Sequence, residues 1–115
     1  MASFGTVIQG AAKGAQTIRG SIYVIPGRFT PSGKDYVGRT EDLDKRARDR
    51  SDGRDRTKAE EVGTYQDGNV SAGRKAEQDE MNRRGGKEFL DNKRDEIARK
   101  NWENKGVTPP QDPEP

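Results

Sequence analysis

The chain has 115 residues, of which 27% are hydrophobic and 37% are charged. A domain of this length buries only about two-thirds of the surface that its unfolded form exposes, so a single small core is expected. The absence of cysteine and histidine excludes a disulfide framework, a thiolate nucleophile and histidine-dependent nuclease chemistry. With 22 basic and 20 acidic residues, the net charge is only +2, so local clusters of cations would have to attract a phosphate backbone. One such cluster runs from Lys45 to Lys58, interrupted by aspartates.

The two ends of the chain differ in composition from its middle. Residues 1–20 are rich in glycine and alanine, which predicts a flexible lead-in. Residues 107–115 are rich in proline, and because proline removes a backbone donor and fixes a backbone angle, a disordered tail is predicted there. Residues 21–106 are then the folded domain. No run of apolar residues is long enough to span a bilayer, so no membrane segment is predicted.

Two short runs near the start of this domain have the composition of strands. Residues 21–25 and 35–39 are rich in β-branched residues and tyrosine. A long Pro/Gly-rich turn separates them, which predicts an antiparallel hairpin. Because a two-stranded hairpin alone is only marginally stable in water, residues 59–66, which include Val62 and Tyr65, are a candidate third strand.

Helical patterns follow the hairpin and dominate the second half of the chain. Thr40 is the expected N-cap of a first helix that has acidic residues in its first turn and ends at residues 51–53. Further helices are predicted over residues 71–84 and 91–104. The predicted fold class is α+β, with a small three-stranded antiparallel sheet flanked by helices.

The hairpin can bring two phenols together. Side chains alternate across a strand, so Tyr23 and Tyr36 can share one face of the sheet. Gly38 lacks a Cβ and would keep that face open to the close approach of a substrate backbone. Taken singly, each tyrosine is better explained by packing in a sheet. Any catalysis would have to use tyrosine, carboxylate, lysine or arginine.

The order of these residues resembles a known family. Ile-Tyr-Val at residues 22–24 is followed by Tyr-Val-Gly at residues 36–38 and by Arg46, eight positions after the glycine. This order is similar to that of the GIY-YIG nuclease superfamily. Residues 76–97 are more similar to the GIY-YIG (URI-type) toxin domains at the C-termini of bacterial polymorphic toxins. The resemblance covers residues 21–97.

The resemblance implies a division of labour in phosphodiester hydrolysis. Glu77 would bind one divalent cation, Mg²⁺ or a related ion such as Mn²⁺, which leaves coordination sites for water and phosphate. Tyr23 would orient the attacking water or accept its proton with Tyr36 beside it, and which phenol is the base stays open. Arg46 would stabilise charge developing on the phosphate. By pattern alone Arg46 would belong to a solvated helix face, and Glu80 stays an alternative to Glu77 as the metal ligand.

Four further residues are predicted to contact substrate. Gly38 would admit the nucleic-acid backbone, and Lys34 lies in the hairpin turn. Arg50 stands where several family members carry a histidine, which is one departure from the family pattern. Asn92 follows the predicted metal-site helix, where it would tie the sheet to the active-site segment or contact substrate. The first motif also begins with Ser21 instead of glycine.

The implied function is a metal-dependent endonuclease that hydrolyses nucleic acid, with DNA favoured over RNA. The resemblance also implies a toxin domain of a larger secreted effector, which acts in the cytoplasm of a target bacterium and is neutralised by a cognate immunity protein. Two alternatives stay open. One is a non-catalytic nucleic-acid-binding module that keeps the hairpin and the basic helix; the other, suggested by the high polarity, is a largely disordered interaction segment.

Overall fold

The fold is built on a three-stranded antiparallel sheet, as the sequence predicts. The computed structural model of the protein describes residues 19–48, 52–66 and 68–112. The strands are β1 (Arg19–Ile25), β2 (Tyr36–Thr40) and β3 (Glu60–Gln66), in the spatial order β2-β1-β3. With helices beside this sheet, the predicted α+β class and its third strand are confirmed.

The helices are α1 (Leu43–Arg46), α2 (Val70–Arg83) and α3 (Trp102–Lys105). The longest, α2, corresponds to the helix predicted over residues 71–84, and Asn69 caps it by accepting a hydrogen bond from the backbone N–H of Ala72 at 3.0 Å. Met81 of α2 is fully buried against the sheet. The core around it contains Ile22, Val24, Val37, Tyr65 and Leu90.

The ring of Tyr65 on β3 accounts for two glycines of the fold. A Cβ added at Gly20 of β1 would lie 2.1 Å from Tyr65 Cζ, and a Cβ added at Gly73 of α2 would lie 2.8 Å from Tyr65 Cε2. Tyr65 is only 7% exposed. The two glycines therefore let α2 approach the sheet closely enough to bury this ring between them.

The first helix differs from the prediction in its start and its length. Thr40 is the last residue of β2, and the N-cap is Asp42, whose Oδ1 accepts a hydrogen bond from the backbone N–H of Lys45 at 3.0 Å. The helix ends at Arg46, well before the predicted end at residues 51–53. So short a helix has little stability of its own and depends on its surroundings.

The helix predicted over residues 91–104 forms only at its C-terminal end. Residues 91–98 are irregular, and a 3-10 turn then leads into α3. The backbone N–H groups of Glu96 and Ile97 donate to Gln78 Oε1 at 2.7 and 3.1 Å. Because this side chain of α2 satisfies the backbone, the segment does not need helical hydrogen bonds, and tertiary contacts override its helix propensity.

Residues 107–112 pack against α2, in contrast to the predicted disorder of the proline-rich tail. Val107 is 7% exposed, and Asn82 Nδ2 donates to the carbonyl of Thr108 at 2.7 Å. The backbone carbonyl of Asn82 accepts a hydrogen bond from the N–H of Gln111, also at 2.7 Å. Prolines supply no N–H, but these few bonds are enough to hold an extended chain on the helix surface.

The predicted lead-in falls largely outside the described part of the chain. Residues 1–18 and 113–115 are not described, and Arg19 and Gly20 already belong to β1. Within the residues that are described, no helix is long and apolar enough to cross a membrane.

Gly20→Ala is expected to lower the free energy of unfolding by about 1–3 kcal/mol, because the added methyl group would overlap the enclosed ring of Tyr65. Gly63→Ala on β3 is the matched control, since its Cβ would lie 3.7 Å from Ile22 Cβ, which is an ordinary contact. Urea unfolding followed by circular dichroism measures both variants. Equal unfolding midpoints would contradict this account of the packing.

Candidate active site

The two tyrosines of the hairpin meet on one face of the sheet. Tyr23 of β1 pairs with Gly38 of β2, and Tyr36 lies two residues along β2 on the same face. Their ring centroids are 6.3 Å apart. Tyr23 is only 1% exposed, whereas Tyr36 is half-buried. The structure thus brings the two predicted phenols together, and only Tyr36 reaches the surface.

Gly38 does not leave an open surface for substrate, which corrects its predicted role. A Cβ at this position would lie 2.5 Å from both Cζ and Oη of Tyr23, and 2.9 Å from Cε2 of Tyr36. The two rings fill the space above the glycine. The missing side chain therefore accommodates the phenols themselves and not a nucleic-acid backbone.

A segment between α1 and β3 covers the tyrosine face. Arg56 in this segment is 1% exposed and donates from Nε to Tyr23 Oη at 3.1 Å. Its two terminal nitrogens donate to the two carboxylate oxygens of Asp52 at 2.8 and 2.7 Å. A buried guanidinium is tolerated only when its charge is paired and its donors are satisfied. The phenol of Tyr23 is thus an acceptor for a buried cation.

Arg54 of the same segment stacks on the other phenol. Its Cζ lies 3.9 Å from the ring centroid of Tyr36, and its Nε donates to Asp91 Oδ2 at 2.6 Å. Its Nη1 donates to Asp52 Oδ2, also at 2.6 Å. Arg54 and Arg56 were predicted to form part of a basic cluster that attracts phosphate. The structure instead engages both with carboxylates and tyrosines.

The environment of Tyr36 favours its neutral form. Burial raises the pKa of Tyr36 above its ordinary value, and the neighbouring Tyr23 and Glu77 act in the same direction, against the opposing effect of the two arginines. A phenol with a raised pKa keeps its proton at neutral pH. Tyr36 is therefore suited to donate a hydrogen bond, and the nearby cations do not convert it into a ready base.

Glu77 is a buried carboxylate on α2, only 4% exposed. Its Oε1 lies 3.0 Å from Nε of Arg39 on β2, and Nη2 of the same arginine lies 3.6 Å from Oε1 of Glu96. Among the described residues, the buried Nε of Arg39 has no aligned hydrogen-bond acceptor. Arg39 is therefore an electrostatic bridge between two carboxylates, held by imperfect hydrogen-bond geometry.

This carboxylate is strongly perturbed. Burial, together with the charge of Glu96, raises the pKa of Glu77 to about 8, although Arg39 acts in the opposite direction. Removing a carboxylate from water disfavours its charged form, and one guanidinium shared between two acids does not fully compensate. Perturbed carboxylates of this kind are concentrated at functional sites.

Asn92 connects the segment that follows α2 to the free edge of β2. The N–H of Val37 donates to Asn92 Oδ1 at 3.0 Å, and Asn92 Nδ2 donates to the carbonyl of Val37 at 2.8 Å. Asn92 thus makes the predicted tie between the sheet and the segment after α2. A cavity of about 220 Å³ opens along this edge. It is lined by Tyr36, Arg54, Asn92, Lys93, Arg94 and Glu96.

Three residues predicted for the site lie elsewhere or are not described. Arg46 lines a separate cavity that also includes Thr40, at the beginning of α1. Lys34 lines another cavity, where its Nζ donates to the carbonyl of Glu88 at 3.3 Å. Arg50 lies outside the described residues. Of the predicted set, the structure brings together Tyr23 and Tyr36 on one face of the sheet, with Asn92 at the edge of β2. Glu77 lies with Arg39 on the opposite face, and Arg39 also contacts Glu96, which lines the cavity.

Glu77 and Glu80, the two alternative metal ligands on α2, have different partners. Glu80 Oε2 lies 2.5 Å from Nη2 of Arg83 and 2.7 Å from Nε of Arg84, two cations of its own helix end. Glu77 instead contacts the guanidinium that also contacts Glu96, and Glu96 lines the cavity. Glu77 is therefore the member of this pair that belongs to the site.

The sequence did not predict Arg39 or Glu96 for the site, and it predicted Arg54 and Arg56 only as members of a basic cluster. Arg39 did carry a signal, because strand alternation places it on the same face as Val37, where a cation needs a buried partner. The alternating charges around Arg54 and Arg56 are typical of a solvated loop and predicted no burial. Glu96 lay within a predicted helix, so its backbone contacts with α2 were not foreseeable from local pattern.

The site contains two carboxylates that are candidate ligands of a divalent cation. Within the described residues, no group of three or more acidic, histidine or cysteine side chains is arranged to hold a metal. Mg²⁺, however, is commonly held by one or two carboxylates together with waters and substrate phosphates. Glu77 and Glu96 already share one cation, Arg39, whose buried Nε lacks an aligned acceptor. Glu77 and Glu96 are the two residues of this site that would hold such an ion.

Comparisons with known proteins add no relative to this picture. No protein-family model, curated protein or solved structure matches the chain. The resemblance to GIY-YIG nucleases therefore stays a prediction, and the functional assignment depends on the geometry of the site.

Glu77→Gln is expected to change how the stability of the protein depends on pH. The pKa of Glu77 is raised from 4.5 to about 8 by folding, so between these values the folded state keeps a proton that the unfolded state has released. The free energy of unfolding of the wild type therefore decreases as the pH rises through this interval, by on the order of a few kcal/mol. Glutamine does not titrate, so the free energy of unfolding of Glu77→Gln does not include this decrease.

Urea unfolding at about pH 5.5 and about pH 8.5 measures this difference. The stability of Glu77→Gln relative to the wild type should increase from the lower pH to the higher one. Glu80→Gln makes the same chemical change on the same helix and is the matched control. A relative stability of Glu77→Gln that is the same at both pH values would show that the carboxylate is not perturbed in this way.

Proposed function

We propose that the protein is a phosphodiesterase that cleaves nucleic acid, an endonuclease of the GIY-YIG type. The observation that carries this proposal is the cavity along β2, where a half-buried phenol, three cations and a carboxylate meet. Hydrolysis of a phosphodiester requires donors aimed at its negatively charged oxygens and a group that orients or deprotonates water. The side chains around this cavity are of the types that supply both.

Tyr36 is proposed to donate a hydrogen bond to a phosphate oxygen or to the attacking water. Its raised pKa suits a donor at neutral pH, and the guanidinium of Arg54 stacked on its ring restricts its orientation. Tyr23 is buried and accepts a hydrogen bond from Arg56. Tyr23 is therefore proposed as a positioning residue, which holds a cation 5.5 Å from the Tyr36 ring centroid, and not as the base.

Glu77 and Glu96 are proposed to hold the divalent cation, Mg²⁺ or Mn²⁺. When bound, such an ion polarises a phosphodiester oxygen and lowers the pKa of a coordinated water. The protein's own contribution is to keep two carboxylates in place. Gln78 accepts the backbone N–H of Glu96 at 2.7 Å, and burial in α2 restricts the side chain of Glu77.

The phosphate contacts are proposed to come from Lys93 and Arg94. Both are exposed where they line the cavity, so neither needs to leave the core to meet a substrate. Arg46 keeps the role implied by the family resemblance if the substrate extends past the end of β2, because its own cavity begins at Thr40. The preference for DNA over RNA is supported by that resemblance alone.

Two observations favour the second candidate function, a nucleic-acid-binding module without turnover. Arg39 already pairs with Glu77 and Glu96, and in that state the carboxylates have a cation without a metal. The pKa of Tyr36 is raised by burial, which disfavours a tyrosinate base. A binding module would keep the cations of the cavity and bind substrate without cutting it.

The biological setting is supported only by the sequence resemblance. On that basis the chain is proposed to be a toxin domain of a larger secreted effector, delivered into the cytoplasm of a competing bacterium. A cognate immunity protein would protect the producing cell. Growth arrest on expression in a bacterial cytoplasm is the corresponding phenotype.

Glu77→Ala is expected to abolish cleavage and preserve binding. With Mg²⁺, the wild type should convert supercoiled plasmid to nicked and linear forms, and the variant should be slower by about 10² or more. Glu80→Ala, on the same helix, is the matched control and should cut normally. If the wild type and Glu77→Ala cut equally, or if neither cuts while both bind, the catalytic assignment is wrong. Expression of the wild type should arrest growth, and expression of Glu77→Ala should not.

Tyr36→Phe removes only the hydroxyl group and keeps the ring beneath Arg54. Because the proposed hydrogen bond acts during cleavage, the rate under single-turnover conditions should decrease by about 10² or more, while oligonucleotide affinity should change little. Tyr65→Phe makes the same change in the core on the opposite face of the sheet and controls for general loss of a phenol. An unchanged rate for Tyr36→Phe would remove Tyr36 from the mechanism.

A further inference from the structure

A second cavity lies next to the candidate active site, between α2 and residues 96–105. Its volume is about 600 Å³, within the size range of ligand-binding sites. The charged residues that line it are three cations, Arg74, Lys75 and Lys105, and one acid, Glu96. None of these cations is part of the site described above.

The two cavities meet at Glu96, which lines both of them. On one side of Glu96 lie Lys93 and Arg94, and on the other side lie Arg74 and Lys105. A chain that crosses Glu96 would therefore find cations on each side of the carboxylate pair. An acid in the middle of a basic path is unfavourable for a polyanion unless a cation lies beside it, and Arg39, which contacts both Glu77 and Glu96, supplies that cation when no metal is bound.

Two of the three cations of the second cavity, Arg74 and Lys105, are available to a ligand. Lys75 Nζ is 2.7 Å from Asp79 Oδ2, so much of its charge is already neutralised. Arg74 and Lys105 are exposed, and neither forms an ion pair within residues 19–48, 52–66 and 68–112. A long cationic side chain at the rim of a concave site can follow a phosphate without a large desolvation penalty.

The rest of the lining suits a sugar–phosphate strand better than an acidic protein surface. Ala72, Ile97 and Ala98 supply apolar contacts, and Asn101 supplies an amide that can donate and accept. A concave site that combines apolar side chains with exposed cations can contact the sugars and the phosphates of a strand. A folded acidic partner would need a broader and flatter surface.

We propose that the cavity between α2 and residues 96–105 binds the nucleic-acid backbone on one side of the scissile phosphodiester, with Arg74 and Lys105 as its phosphate contacts. This assignment rests on the proposed function, because it takes the carboxylates Glu77 and Glu96 to mark the position of the bond that is cut. The substrate then enters past Lys93 and Arg94 and leaves along α2.

The test is a binding titration in EDTA, where no cleavage occurs. Fluorescence anisotropy is measured with labelled single-stranded and duplex DNA of about 12 nucleotides or base pairs, at several salt concentrations. The double variant Arg74→Glu and Lys105→Glu should bind at least one of these probes about tenfold or more weakly than the wild type. The slope of log affinity against log salt should also decrease in magnitude by about two, because two phosphates would no longer be neutralised by the protein.

Arg19→Glu with Arg28→Glu is the matched control. It makes the same change in net charge at two exposed cations that line neither cavity. This control should lose less than about threefold in affinity. The double variant Arg74→Gln and Lys105→Gln removes the two charges without reversing them, and circular dichroism checks that it is folded. It should also lose affinity for DNA, by a smaller factor than the charge-reversed variant.

Several results would overturn the proposal. These are a double variant that binds like the wild type, a loss no larger than that of the control, or a wild type that binds neither probe. A labelled oligoglutamate peptide is the third probe, and if it alone depends on Arg74 and Lys105, the cavity binds acidic polypeptide. If DNA binding depends on Arg74 and Lys105 but the wild type does not cut DNA, the cavity assignment stands and the catalytic assignment fails. If the wild type cuts DNA but the double variant binds as tightly as the wild type, the catalytic assignment stands and the cavity assignment fails.

Discussion

Two carboxamide side chains hold the irregular segment 91–98, and the geometry of the candidate site depends on them. Asn92 binds both backbone groups of Val37, and Gln78 accepts the N–H groups of Glu96 and Ile97. A buried backbone group without a partner costs about 1–3 kcal/mol, so these bonds determine the course of a chain that has no secondary structure of its own. That course puts Glu96 beside Arg39 and forms the wall that the two cavities share.

Burial decides how the charges of the site behave. Arg56 is buried but meets a carboxylate and a phenol, so its charge is well compensated. Glu77 is buried beside a second acid and shares one guanidinium with it, so its charge is poorly compensated. A fold that keeps such a carboxylate gives up stability, which is common where a side chain is retained for its chemistry. The charges on the tyrosine face are therefore paired, whereas the two carboxylates share a single cation.

The elements with a strong local signal were predictable, and those held by distant side chains were not. The strands and α2 follow from β-branched runs and a long helical stretch, and strand alternation put Tyr23 and Tyr36 on one face. Residues 91–98 have a helical composition, yet the hydrogen bonds that Ile97 donates to Gln78 and that Asn92 accepts from Val37 determine their conformation. Arg54 and Arg56, which contact Tyr36, come from a loop whose alternating charges do not predict burial, so their burial depends on tertiary structure alone. Glu77 was identified through the family resemblance, since its own neighbourhood suggests only a charged surface.

The side-chain amide of Asn92 also has a consequence for self-association. By occupying the outward N–H and C=O of Val37, it prevents another strand from adding to β2 at that point. Extension of the described sheet into a larger aggregate is therefore left to β3, its other border. That strand begins with Glu60 and Glu61, both exposed, and two identical acidic borders repel each other when copies meet. In the described sheet, the hydrogen bonds of Asn92 and the exposed carboxylates of Glu60 and Glu61 thus oppose pairing with another strand at one point of β2 and at the start of β3.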